Sequence, residues 1–273
     1  MKRSAAALSA LLLLGAMTVA GCGDKKEAPP LQSGSSSPAQ SSTPAAEGAP
    51  QNTTSAGGVV SGAQGKLLDP SSLPTPRRAS GNNSQDLAAL DAGKVDGKVR
   101  VIVYQDPMCP YCKQFDDQYG KQLDAWADAG DIVLDHRVIS FLDQMSTTKY
   151  STRSANALAC VADGSPDAYT KYLHALYKAH DPKSEGGLGV EEGGPGLTDT
   201  QLAELAQDSG ASSDVSTCIS NQKFSSWVKS STSDGLTSGV KGTPTVIVNG
   251  EPWDSQADAD FGQWAEKIIK AAS

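Results

Sequence analysis

Hydrophobic and polar positions alternate between two periods along this chain, and the period predicts the element. "KVRVIVYQD", residues 98–106, is a near-continuous run of β-branched residues, the pattern of a strand buried on both faces. Phe115, Tyr119, Leu123 and Trp126 then recur at i, i+4, i+8 and i+11, one stripe of an amphipathic helix. "DIVLDHRVIS", residues 131–140, reads as the next strand. Helical patterns follow at about 152–163, ended by Gly164; at about 167–180, with Tyr169, Leu173 and Leu176; at about 199–209; and at about 213–230. Thr198 and Gln201 have capping-box spacing for the third. "TVIV", Asn249-Gly250 and "EPW" signal a hairpin with a type I′ turn. Phe261, Trp264 and Ile268 give the last helix its buried stripe, and Trp126, Trp227 and Trp264 read as core.

The amino terminus has a different pattern. Two basic residues precede an apolar run from Ala5 to Ala20, too short for an ordinary membrane-spanning helix and followed by small residues up to Cys22, as in an export signal. Val19, Ala20, Gly21 and Cys22 resemble a bacterial lipobox, which implies cleavage before Cys22, acylation of that cysteine and anchoring to the outer face of the cytoplasmic membrane. Residues 23–65 are expected to form a tether, with disorder predicted from about Asp24 to Gly58. That stretch is rich in Ser, Pro and Ala and lacks the apolar area to offset chain entropy. Residues 66–273 are then the folded domain, with a helical insertion at about 148–235. A glycine-rich loop, "SEGGLGVEEGGPG", interrupts that insertion.

Composition narrows the partners. The net charge of −8 becomes −10 once Lys2 and Arg3 leave with the signal, which disfavours nucleic acid and anionic lipid head groups. With Cys22 assigned to lipid, four cysteines remain, Cys109, Cys112, Cys160 and Cys218, in a compartment where disulfides persist.

The pair in "YQDPMCPYCKQF" admits three readings: metal half-site, structural staple or redox couple. Zinc needs four ligands, and neither Cys160 and Cys218 nor His136, His174 and His180 supply the second half-site spacing, so no metal is expected. Pro110 suits a first helical position, which places Cys109 at the N-cap, where unpaired N–H groups stabilise a thiolate. Cys112, one turn on, is placed to resolve a mixed disulfide formed at Cys109. Asp106 is the nearest carboxylate; it serves as a turn residue before Pro107 or handles protons. A bridge between Cys160 and Cys218 would close a loop of nearly sixty residues, worth about 4 kcal/mol in the chain-entropy model. The competing readings are two buried free thiols or a second redox pair fed by Cys112. His136 reads as a packed residue, and Trp253 as core or groove.

CPYC after a strand, together with Thr243-Pro244 opening a strand in "GVKGTPTVIVNGEPW", resembles the active-site and cis-proline elements of the thioredoxin superfamily. The helical segment between them resembles the DsbA-type branch, which includes DsbG-like thiol:disulfide oxidoreductases. The resemblance implies an α/β thioredoxin fold: a central mixed sheet flanked by helices, with a helical insertion between the CxxC half and the cis-Pro half. It further implies that Pro110 and Tyr111 tune the thiolate and that the backbone at Thr243 and Pro244 pairs with an extended substrate. No cofactor is implied. The partners implied are exported cysteine-containing proteins and a quinone-linked membrane protein, DsbB-like or vitamin K epoxide reductase-like. Where thioredoxins carry a buried acid, this chain has Val103, so water or another group must take over. Oxidation of exported proteins is the expected direction, with isomerase or reductase work, or a non-catalytic client-binding module, as alternatives.

Overall fold

The computed structural model describes residues 48–73, 94–180, 189–190 and 193–272. The signal, the lipobox with Cys22 and the tether up to residue 47 lie outside the described residues, as does most of the glycine-rich loop. Among the described residues no helix is long and apolar enough to cross a membrane.

Five strands form one mixed sheet in the order β1-β3-β2-β4-β5. They are β1 (Gly58–Ser61), β2 (Val99–Gln105), β3 (Ile132–Val138), β4 (Thr245–Val248) and β5 (Glu251–Pro252). β2 runs parallel to β3 and antiparallel to β4, and all seven residues of β2 and of β3 are buried. That two-sided burial is why β2 reads as a near-continuous run of β-branched residues, while β3 also buries Asp135, His136 and Arg137. Asn249 (φ 52°) and Gly250 (φ 85°) both take positive φ, as the predicted type I′ turn requires.

One sheet face is covered by a continuous helical stretch and by the carboxy-terminal helix. The stretch comprises α1 (Pro110–Phe115), a π-helical turn (Asp116–Gly120) and α2 (Lys121–Asp128). Phe115, Tyr119 and Leu123 pack there on Val101, Val103 and Phe261. The inserted helices are α3 (Tyr150–Gly164), α4 (Tyr169–Lys178), α5 (Asp199–Asp208), α6 (Asp214–Ser220) and α7 (Ser225–Thr237), followed after β5 by α8 (Phe261–Ala272). α3 buries twelve of its fifteen residues, most of them Ala, Ser or Cys, so it is a hub that α4 to α7 all approach. Thr198 and Gln201 close the predicted capping box on α5. Cys160 on α3 and Cys218 on α6 form a disulfide with a Cα separation of 5.8 Å.

Three expectations are corrected. The tether does not extend to residue 65: β1 is fully buried and pairs with β3, and ahead of it Asn52 Nδ2 donates to the Ala162 carbonyl of α3 at 2.9 Å. Val59 and Val60 are buried and supply the large apolar side chains that the sequence of the preceding stretch does not offer. The helix expected over 213–230 is two helices. Gln222 takes a left-handed φ of 51°, and the Phe224 amide donates to Asn156 Oδ1 on α3 at 2.8 Å, a tertiary bond that ends α6 and redirects the chain. Trp126, Trp227 and Trp264 are half-buried residues packed against the core clusters rather than members of them, because a ring this large is seldom covered on all sides.

Candidate active site

β2 ends at Gln105, and a tight turn carries the chain into α1. The Cys109 amide donates to the Asp106 carbonyl at 2.9 Å, and the Met108 amide donates to Asp106 Oδ1 at 2.8 Å. Cys109 therefore arrives extended (φ −73°, ψ 120°) as the N-cap, with Pro110 as the first helical residue. Its sulfur accepts the Cys112 amide at 3.4 Å. Both thiols are free and buried, whereas Tyr111 between them is 67% exposed.

The chain returns to this point 134 residues later. The Thr243-Pro244 bond is cis, and the Cys109 thiol donates to the Thr243 carbonyl at 3.2 Å. A thiolate has no proton to give that carbonyl; the Thr243 hydroxyl, buried and without a hydrogen-bond partner, is a donor free to turn toward a thiolate and lowers the Cys109 pKa. The Cys109 pKa is lowered from 9.0 to about 6, chiefly by the Cys112 thiol, against burial, with help from Thr243 and the Cys112 and Tyr111 amides. Burial and the neighbouring Cys109 push Cys112 well above its ordinary value. The amide dipoles at the helix start thus contribute, but a neighbouring thiol contributes more.

Asp106 is more than a turn residue. It is fully buried, and its second oxygen accepts the Leu142 amide at 2.8 Å, so the carboxyl clamps the loop after β3. Burial raises its pKa from 3.8 to about 7 against these bonds and the influence of Ser151 on α3. His180, just past α4, donates from Nε2 to the Pro107 carbonyl at 2.6 Å and so braces the turn from the other side. Its position carried no spacing signal, because the contact joins residues 73 apart. Trp253 packs edge-on against Phe261 and Tyr119 in an aromatic cluster beneath α1. His136 is buried in β3 and bonded to Gln105. Cys160 and Cys218 lie in the helical insertion. Among the described residues no group of three or more His, Cys, Asp or Glu could hold a metal ion.

A strand-to-helix CxxC facing a cis-proline segment is an arrangement for thiol-disulfide exchange, and comparison with known proteins gives it a lineage. A family model described as thioredoxin matches residues 87–267, well over half of the chain. The chain belongs to the thioredoxin family. Reduced DsbG, a disulfide bond oxidoreductase of Mycobacterium tuberculosis, has 29% identity and a TM-score of 0.52, with 66% of this chain and 85% of that one covered. MdbA of Actinomyces oris, a thiol-disulfide oxidoreductase, reaches a TM-score of 0.58 over 82% of this chain and 92% of that one; at 17% identity it speaks for the fold alone. Among curated proteins, the serine/threonine-protein kinase PknE of Mycobacterium tuberculosis is 30% identical over 121 residues, 44% of this chain. The match spans only 20% of that kinase. This member of the thioredoxin family is a protein disulfide oxidoreductase of the DsbA/DsbG type.

Proposed function

We propose that the chain oxidises exported cysteine-containing proteins from a lipid anchor at Cys22 on the outer face of the cytoplasmic membrane. A client thiolate attacks Cys109 Sγ of the Cys109–Cys112 disulfide. The sulfur-sulfur bond breaks, and its electron pair leaves on Cys112, which takes a proton from Asp106. A second client thiolate attacks the client sulfur of the mixed disulfide, Cys109 departs as thiolate, and the client keeps the new disulfide. Two electrons remain on the enzyme, to be drained by a quinone-linked membrane partner, DsbB-like or vitamin K epoxide reductase-like. Client backbone adds as a strand along Thr243 and Pro244, while Pro110 and exposed Tyr111 shape the approach to Cys109.

The observation that carries this reading is the split between the two sulfurs, Cys109 held down at about 6 and Cys112 pushed up. A good leaving thiolate at Cys109 favours release of an oxidised client. A staple would have no use for it. At pH 7 only the decade between 6 and 7 counts, so the stabilisation of the reduced form is about 1.4 kcal/mol, or about 30 mV. That is a moderate push, and it leaves isomerase or reductase work, which the resemblance of CPYC and Thr243-Pro244 to DsbG-like members implies, as the second reading.

Refolding separates the two. An oxidase restores activity to a reduced, cysteine-containing substrate in the presence of an oxidant, and an isomerase acts faster on a scrambled one; preference for scrambled substrate overturns the oxidase. Mass spectrometry of the mature amino terminus tests Cys22, and an unmodified start downstream of it removes the anchor.

A further inference from the structure

Beneath the redox helix, hydrogen-bond directions follow from one residue to the next. The Tyr177 hydroxyl donates to Gln105 Oε1 at 3.1 Å, and Gln105 Nε2 lies 2.9 Å from His136 Nδ1. An amide nitrogen only donates, so Nδ1 accepts. Burial keeps His136 neutral by lowering its pKa to about 4, and its single ring proton therefore sits on Nε2. That Nε2 is buried and has no partner. His136 lines a cavity of about 10 Å³ shared with Gln105, Val103, Asp116, Asp124 and His174. Asp116 and Asp124 each hold one nitrogen of His174, at 2.7 and 2.8 Å, and each carboxylate keeps lone pairs to spare. The space suits one water, which needs two or more polar partners. A cation is opposed by the Nε2–H and by charged His174, and an anion by the two carboxylates.

We infer that this cavity binds a single water molecule, which accepts from His136 Nε2–H and donates to Asp116 or Asp124. The water completes a chain running from Tyr177 through Gln105 and His136 to the carboxylates, with every proton pointing the same way. His136 is a positioning residue that orients the Gln105 amide and, through it, the Tyr177 hydroxyl.

The reduced full-length chain tests the site without any variant. Nitrogen NMR of the His136 ring is expected to show the Nε2–H tautomer, and atomic-resolution crystallography one water within hydrogen-bond distance of Nε2 and a carboxylate oxygen. The Nδ1–H tautomer or a dry cavity overturns the site. His136→Phe removes the donor, and its cavity is expected to hold no ordered water; should that variant not fold, Gln105→Leu removes the amide that fixes the ring and is expected to lose the Nε2–H tautomer. An ordered water retained in His136→Phe, or the same tautomer retained in Gln105→Leu, overturns the arrangement.

Discussion

The Asp106 carboxyl accepts the Leu142 amide at 2.8 Å across 36 positions of sequence. It thereby joins the turn before the redox pair to the loop that leaves β3, while its other oxygen holds Met108. A protonated carboxyl must turn one oxygen into a donor, so gaining a proton weakens one of these two bonds. Burial favours the proton and the amides oppose it, which leaves the group poised near neutrality.

Asp106→Asn removes this titration. The folded pKa of about 7 lies above the ordinary 3.8, so the group's contribution to stability is full below about pH 4 and is lost as pH rises through 7. Denaturant melts between pH 4 and 8 should lose that component of their slope in the variant. Client exchange should slow about 100-fold, the usual scale for one proton-transfer group. An unaltered pH-rate profile would rule Asp106 out as the proton source.

Cys109 should alkylate with iodoacetamide with a half-maximal rate near pH 6, against about 8.5 for an ordinary thiol. Because its folded pKa is depressed, the stability it lends the reduced form is present above the unfolded value and lost as pH falls through 6. Thr243→Val deletes the hydroxyl donor and should move the midpoint upward, and Thr243→Ser should restore it. Equal midpoints in the two variants would take the hydroxyl out of the account.

The bridge between Cys160 and Cys218 spans a sequence separation of 58. Replacing both cysteines by Ala should cost about 4 kcal/mol by chain entropy, read by chemical denaturation, with the rate of client exchange unchanged. A fall in that rate would point instead to electron relay from Cys112.

Gly58→Ala tests whether β1 belongs to the fold. A Cβ there would stand 1.8 Å from Asp135 Oδ1, and Asp135 cannot yield because Arg100 and Arg137 hold its other oxygen at 2.6 and 2.9 Å. The variant should lose about 3 kcal/mol or more, as overpacking against a buried ion pair does. Near-wild-type stability would mean that this edge strand can be shed.

The strands over Val99–Gln105 and Ile132–Val138, the stripe through Phe115, Tyr119 and Leu123, and the cap at Thr198 were legible because each is written in neighbouring residues. So was Cys109 at a helix start, since Pro110 announces it. β1 was not legible: four residues after a low-complexity stretch become a strand only when β3 offers its edge. Nor was the break at Gln222, made by Asn156, 68 positions from the amide it holds. The sequence by itself determined the order of the elements and which two sulfurs stand together, because period and capping are local properties. Only the tertiary structure decided how far the acidities of the two sulfurs are driven apart and that burial holds the Asp106 carboxyl near neutrality. Those depend on loss of water and on partners such as Thr243 and Leu142 that chain folding brings from far away.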